Sequence, residues 1–448
     1  MIEEFQYKGI WWLPRKPEER ISGTFKFTPS EGAVLELMGS FKMFEPEIIL
    51  GISSDREKIT LYKCFVTNSI LRYPGLSTSS FYANIAFVGV HFQKPEDIKF
   101  KSLSIHYLYL DEWFNVSRFD IQQFDEKEIV IRYKLPKPIQ ATIDDYKILL
   151  KVKVIPAETH SIMQKEATIK KMTYIIIEPS EKKSFDEYLN IMHYIQNFLS
   201  LGVTKPVYPL IIEGKTEMDK EMINDTVKVY YRVSYVPTKI PRTLIPQDML
   251  FTFEDISDRF EVFLRNWFEK ADLLEPVYNL YFGTLYNPHM YLEDKFLSTV
   301  QAIESYHRQT MKNFELPEEQ HKKRIEEILN AVPHEHKDWL ENKLAYSNEP
   351  SLRKRLKEIL EKFADVLNDF IPDKDLFIHK VVTTRNYLIH YDEKLKEQSA
   401  KREELYYLTQ KIKILIEICL LKELGFTSDN IKSLISRNRR YQREIRIG

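Results

Sequence analysis

Ile21-Ser22-Gly23-Thr24-Phe25-Lys26-Phe27-Thr28-Pro29-Ser30-Glu31-Gly32-Ala33-Val34-Leu35-Glu36-Leu37 sets the character of the first half of the chain. Ile21 to Thr28 alternates in the way a half-buried strand must, because successive side chains point to opposite faces. Pro29-Ser30-Glu31-Gly32 is a turn signal, and Ala33 to Leu37 resumes as a hairpin partner. The same texture returns at Lys58 to Val66, Phe81 to Val90, Tyr146 to Ile155, Thr173 to Ile177 and Val227 to Val236, all rich in β-branched and aromatic residues. Many short strands bounded by turns predict a β-sandwich or barrel-like domain, interrupted by one helix from about Phe185 to Leu201.

After Phe253 the period changes. Asp258 to Phe268 carries apolar residues at helical spacing, and Leu292, Phe296, Val300 and Ile303 recur at steps of three and four. Glu319 to Asn330 is charged and helical. Leu405, Leu408, Ile412, Leu415 and Cys419 form a further apolar stripe, with Gly425 as its C-terminal stop. Helices joined by short links imply a bundle. The expected architecture is therefore α+β and multidomain. Residues 1–250 are expected to form a β-rich domain, 251–288 a helical connector and 289–448 a helical bundle.

Composition narrows the function classes. The chain has 448 residues, 43% hydrophobic and 29% charged, which fits an ordinary globular protein with real cores. Only 12 residues are glycine, and neither G-x-x-x-x-G-K-[ST] nor G-x-G-x-x-G occurs, so a phosphate loop or dinucleotide fold has no motif support. The formal net charge of -1 means that any contact with nucleic acid must be local. Cys64 and Cys419 lie in apolar stretches far apart and read as buried free thiols. The start, Met1-Ile2-Glu3-Glu4-Phe5, is acidic where a signal peptide is basic. No run reaches the ~18 apolar residues of a membrane span. A cytoplasmic location without membrane attachment is expected.

The segment Asp375 to Lys394 carries the chemistry. Ile378, Val382 and Ile389 make one apolar side, with Phe377, Val381 and Leu388 beside them. His379, Thr383, Asn386 and His390 follow one polar stripe. Arg385 stands five residues before His390, about 140° away round an ideal helix. Metal-free RNA cleavage needs a proton acceptor for the ribose 2′-OH, a proton donor for the leaving 5′ oxygen, and a cation for the charge gathering on the phosphoryl oxygens. Histidine suits the proton roles near neutral pH, and arginine presents a planar fork that matches phosphate. Spacing alone leaves the ordinary alternative open, an Arg and a His engaged in capping or ion pairing.

Arg385-Asn386-Tyr387-Leu388-Ile389-His390-Tyr391-Asp392 resembles the signature of HEPN domains, an Arg followed by a polar residue and then, after four to six residues, a His. Phe296 to Arg308 resembles the earlier helix of the HEPN branch found in ApeA-like proteins. Gly9-Ile10-Trp11-Trp12-Leu13-Pro14, Ser22-Gly23-Thr24-Phe25, Leu35-Glu36-Leu37-Met38-Gly39-Ser40-Phe41 and Lys58-Ile59-Thr60-Leu61-Tyr62-Lys63-Cys64-Phe65 resemble the ApeA N-terminal domain. Residues 237–287 carry no matching motif. The resemblance implies a metal-independent endoribonuclease of antiphage defence that acts by abortive infection. It implies a homodimer with Arg and His of two protomers in one cleft, RNA as substrate, and no cofactor. His390 would handle the proton, Arg385 would stabilise charge and Asn386 would position the phosphate. Together with the two-domain layout, the resemblance implies that residues 1–250 are a sensor or regulatory domain, which senses a phage-derived trigger as its expected partner or restrains the nuclease.

Further candidates rank behind these. Glu304, His307 and Tyr391 are candidate cleft-lining residues, although Glu304 and Arg308 at i, i+4 read by default as a surface ion pair. Tyr391 could stack a base, but it reads first as a core or interface residue. Arg437, Arg439, Arg440 and Arg443, with Arg446, give the tail a local excess of +4 and are candidates for RNA backbone contact, or else a disordered end. His334-Glu335-His336 lacks a third metal ligand and reads as a solvated loop. Trp11-Trp12 reads as core rather than as a base or sugar platform. A rival reading keeps the bundle as a non-catalytic scaffold that binds nucleotide, RNA or a protein, with the β domain as a ligand receptor.

Overall fold

The computed structural model describes residues 4–41, 45–70, 72, 74–75, 77–116, 119–124, 128–155, 168–216, 226–233, 243–368 and 370–447. The chain divides into two units, residues 1–265 and 266–448. The first is β-rich and the second helical.

The first unit begins with β1 (Phe5–Leu13), β2 (Lys16–Thr28), β3 (Gly32–Leu37), β4 (Ile48–Ser53), β5 (Lys58–Ile70) and β6 (Thr78–Val88). All neighbours are antiparallel, in the order β6-β3-β2-β1-β4-β5, and β5 pairs back onto β6. The sheet therefore closes into a six-stranded barrel, which leaves these strands without a free edge. The β2–β3 hairpin follows the expected turn, with Thr28 opposite Gly32. Alternation puts Phe25, Phe27, Ala33, Leu35, Leu37 and Phe81 inside. Trp11 and Trp12 are both buried, as are Cys64 and Cys419, and both cysteines are free thiols.

The barrel runs on into a wider sheet. The remaining strands are β7 (Lys99–Phe100), β8 (Ser102–Tyr107), β9 (Asp120–Phe124), β10 (Glu128–Arg132), β11 (Ile139–Ile143), β12 (Tyr146–Ile155), β13 (Lys170–Pro179), β14 (Lys183–Ser184), β15 (Pro209–Lys215) and β16 (Thr226–Tyr231). Residues 234–236 of the strand expected to reach Val236 lie outside the described residues. One edge of β6 serves two partners. Ser79 to Ala83 pair with β3, and Ile85 to Val88 pair with β16. From β16 the order continues β15-β8-β13-β12-β11. Helix α1 (Leu110–Phe114) is short. Helix α2 (Phe185–Val203) starts at a capping box, in which the Ser184 hydroxyl accepts from the Glu187 N–H and the Glu187 carboxylate accepts from the Ser184 N–H.

Helix α3 (Phe260–Glu269) spans the division between the units. The helical unit then holds α4 (Ala271–Tyr286), α5 (Leu292–Thr310), α6 (Glu318–Asn330), α7 (Lys337–Leu344), α8 (Leu352–Lys362), α9 (Ala364–Leu367), α10 (Lys374–His390), α11 (Arg402–Leu424), α12 (Ser428–Arg437) and α13 (Arg439–Ile447). Helix α11 is its axis, buried almost all round from Ile412 to Leu424, as a central helix must be. It stops where the sequence expects, at Gly425 with φ +103°. There the Phe426 N–H donates to the Leu421 carbonyl and the Gly425 N–H to the Lys422 carbonyl, the Schellman arrangement. Among the described residues no helix is long and apolar enough to cross a membrane.

Gly51 of β4 lies under the Trp11 indole, and a Cβ there would stand 2.2 Å from a ring carbon. Gly51→Ala is expected to lower stability by about 1–3 kcal/mol through overpacking, read as a shift of the urea midpoint. An unshifted midpoint would mean that the indole moves aside freely.

Candidate active site

Helix α10 is capped at its start by Asp373, whose carboxylate accepts from the Leu376 N–H at 2.9 Å. Its core face differs from the expected one. Phe377, Ile378, Val381 and Thr384 face inward, whereas Ile389 is 45% exposed. The spacing i, i+1, i+4, i+7 is as helical as the expected set. A hydroxyl settles the phase, because Thr384 Oγ1 accepts from the Ala400 N–H at 2.9 Å and is satisfied in the core. Thr383, expected on the polar stripe, is also buried.

This rotation leaves Arg385 and Asn386 half-buried and His390 exposed on the last turn. Arg385 Nη1 donates to Asn386 Oδ1 at 3.2 Å, so Asn386 steers the guanidinium along the helix surface. Asn386 and His390 are one turn apart on the same side. Arg385 and His390 remain about 140° apart, since α10 runs from Lys374 to His390 as unbroken α-helix. Tyr391 then ends the helix with φ +50° and ψ +36°. It is 68% exposed, and its ring meets Tyr387 edge-on at 5.7 Å, so it is not a core residue. A non-glycine side chain in this left-handed region costs about 1–2 kcal/mol, and such strain gathers at functional sites.

His307 does not line a cleft. It is fully buried, with Nε2 2.6 Å from Glu358 and Nδ1 3.1 Å from Arg355 Nη1. Arginine can only donate, so Nδ1 accepts and Nε2 carries the proton toward Glu358. Arg355 is 1% exposed. It also donates to the Pro350 carbonyl at 3.0 Å, to Glu349 at 3.3 Å and to Asn313. Glu304 leans toward Arg355 at 3.9 Å, and Arg308 turns to Glu349 at 2.6 Å, so the expected pairing of Glu304 with Arg308 gives way to longer-range partners. Sequence reading missed Arg355. Its signal was positional, because it falls on the apolar stripe of Leu352, Leu356, Ile359 and Phe363, where a charge must find partners.

The tail is helical, and its arginines divide. Arg439 and Arg443 are exposed and Arg437 half-buried, while the side chain of Arg446 lies outside the described residues. Arg440, expected on RNA, instead turns inward to the fully buried Glu417, which also accepts from the Tyr281 and Tyr441 hydroxyls at 2.6 Å each. Burial works against the Glu417 carboxylate, but Arg440 and Lys413 outweigh it and hold its pKa below the usual value. A charge bound this way is not available to a phosphate. His334 and His336 sit exposed on a short turn.

Two family models match the chain, ApeA N-terminal domain 1 over residues 6–267 and Apea-like HEPN over residues 297–430. The chain belongs to the ApeA family. No curated protein and no solved structure matches it. The ApeA match spans the barrel and its sheet, and the HEPN match spans α5 to α12 with the Arg385–His390 segment inside it. This makes it a HEPN-based antiphage defence protein, built from a β-rich unit and a HEPN helical unit.

Burial lowers the pKa of His307. The unfolded chain therefore takes up a proton before the folded one, and the stability contributed by the neutral ring is present above pH 6.5 and lost as pH falls below it. Melting temperatures from about pH 8 to about pH 5 should fall less steeply for His307→Gln than for the parent. Parallel curves would remove His307 from the acid response. Tyr391→Gly should raise stability by about 1 kcal/mol in thermal or urea unfolding by relieving the left-handed strain, and a loss of stability would refute that strain.

Proposed function

We propose that the helical unit is a metal-independent endoribonuclease and that the protein halts phage propagation by abortive infection. One observation carries the reading. Within the HEPN-matched region, α10 ends in a solvent-facing turn that carries His390, with half-buried Arg385 and Asn386 just before it, whereas the charges of Arg355 and Arg440 are tied up in buried networks. His390 takes the proton from a ribose 2′-OH, and that oxygen attacks the adjacent phosphorus. The bond from phosphorus to the 5′ oxygen breaks, the leaving oxygen receives a proton, and the products are a 2′,3′-cyclic phosphate and a 5′-OH. Arg385 stabilises the charge on the phosphoryl oxygens. Asn386 aims the guanidinium and through it positions the phosphate.

The 140° between Arg385 and His390 supports a homodimer. Two copies of α10 related by a two-fold axis let the Arg of one protomer and the His of the other share a groove, since an isologous interface presents the same patch twice. Ile389, Tyr391 and Tyr406 are apolar and exposed, which suits them to such a contact. In this reading the β-rich unit senses a phage-derived trigger or restrains the nuclease, and the protein acts in the cytoplasm.

Arg385→Ala and His390→Ala should each lower RNA cleavage by about 10²–10⁴-fold, and EDTA should leave the parental rate unchanged. The readout is a gel assay on end-labelled RNA with cyclic phosphate detected at the cut. Cleavage by either variant at the parental rate would end the assignment. Loss of parental cleavage in EDTA would end the metal-free mechanism.

A further inference from the structure

Strands β15 and β16 form a fork. Their ladder is confined to Glu213–Lys228, Gly214–Val227 and Lys215–Thr226. Beyond it the strands answer to different neighbours. Pro209 to Lys215 follow β8, with a register break that leaves Leu210 as a bulge. Lys228 to Tyr231 follow β6 toward the barrel. A bulge bends its strand and sharpens the local twist, which drives the two apart. Ile211 and Ile212 thus pair with β8 on one edge, with Leu210 bulged just before them, and among the described residues they pair with no strand on the other.

The opening is a cavity of about 300 Å³, which falls at the lower end of ligand-site sizes. Apolar and aromatic residues predominate in its lining, among them Phe27, Met172, Tyr174, Ile212, Tyr230 and Tyr231, while polar atoms make up nearly half of the exposed wall. Phe27 and Tyr230 hold each other at 5.2 Å between ring centres. Two charged residues mark the lining, Glu213 and Lys228. Glu213 is committed to Lys153 at 2.8 Å, and that ammonium also sits 4.1 Å over the Tyr174 ring. Lys228 is exposed and, among the described residues, has no ion pair. The site therefore offers three features together: a strand edge, a hole lined mainly by apolar and aromatic side chains beside it, and an exposed lysine that among the described residues has no ion pair.

We infer that this fork binds an extended segment of a partner polypeptide, which adds as a short strand against Leu210–Ile212, places an aliphatic or aromatic side chain in the cavity, and sets a neighbouring carboxylate on Lys228. Backbone pairing supplies affinity in such strand addition, and pockets for alternate side chains supply selectivity. Complementarity to Lys228 selects an acidic neighbour. The inference concerns the β-rich unit alone and stands whether or not the helical unit cleaves RNA.

The test uses the full-length protein. Dodecapeptides selected from a random displayed library are synthesised with a fluorescent label, and their affinities are measured by anisotropy. Met172→Trp fills the cavity and Lys228→Glu reverses the charge. Each is expected to weaken binding at least about tenfold, with unchanged circular dichroism. Methylation of alternate peptide nitrogens should abolish binding, and bound peptide should slow amide exchange at Leu210–Ile212. The inference is overturned if no peptide is enriched, if both variants bind at parental affinity, or if N-methylated peptides bind as well as their parents. Should Met172→Trp fail to fold, Lys228→Glu and the methylated peptides decide alone.

Discussion

Strand β6 has to satisfy more neighbours than its two edges admit side by side, and the β-rich unit follows from how it does so. One edge takes β5 along its length, while the other is divided end to end between β3 and β16. The first half of the division closes the barrel. The second half ties β16 to the barrel, and β16 is joined to β15 over only three residue pairs. Barrel closure, the passage from barrel to sheet and the fork are thus consequences of a single strand whose hydrogen-bonding capacity is partitioned. Buried backbone groups must find partners, and where the partition leaves an edge of β15 with no neighbouring strand among the described residues, a receptive surface results.

The helical unit is governed by a related constraint, the cost of burying charge. Among the described residues of its interior, Arg355 and Glu417 carry charge, and each is surrounded by complementary groups from distant parts of the chain. Arg355 ties Asn313, Glu349 and Pro350 to His307. The start and end of the excursion bearing α6 and α7 are thereby fastened at one point, and neither of those helices has a buried residue of its own. Glu417 fastens α4 and α13 to α11 through Tyr281, Arg440 and Tyr441. Satisfied networks of this kind rigidify and specify a unique arrangement. They also separate structural charges from the exposed polar groups at the end of α10.

Much of this was legible beforehand. Alternation over Ile21 to Leu37 identified the hairpin because a strand has a period of two whatever it packs against. Gly425 announced the end of α11 because few other residues accept its φ. The Arg385–His390 segment stood out as a pattern. The phase of α10 did not, since the set Phe377, Ile378, Val381, Thr384 and the set with Ile389 are both helical in spacing, and only the Ala400 amide decides that the threonine goes inside. Arg440 was likewise indistinguishable from its basic neighbours until Glu417 appeared beneath it.

The sequence by itself determined the local periods, the turn and cap positions, the change from strand to helix near the middle and the family signature, because all of these depend on residues close together in the chain. Tertiary structure alone decided that the strands close into a barrel, that β15 and β16 diverge, and which charges are buried. Those outcomes depend on pairings between residues tens to hundreds of positions apart, such as Arg355 with His307 or Tyr281 with Glu417, and no local pattern encodes the partner of a buried charge.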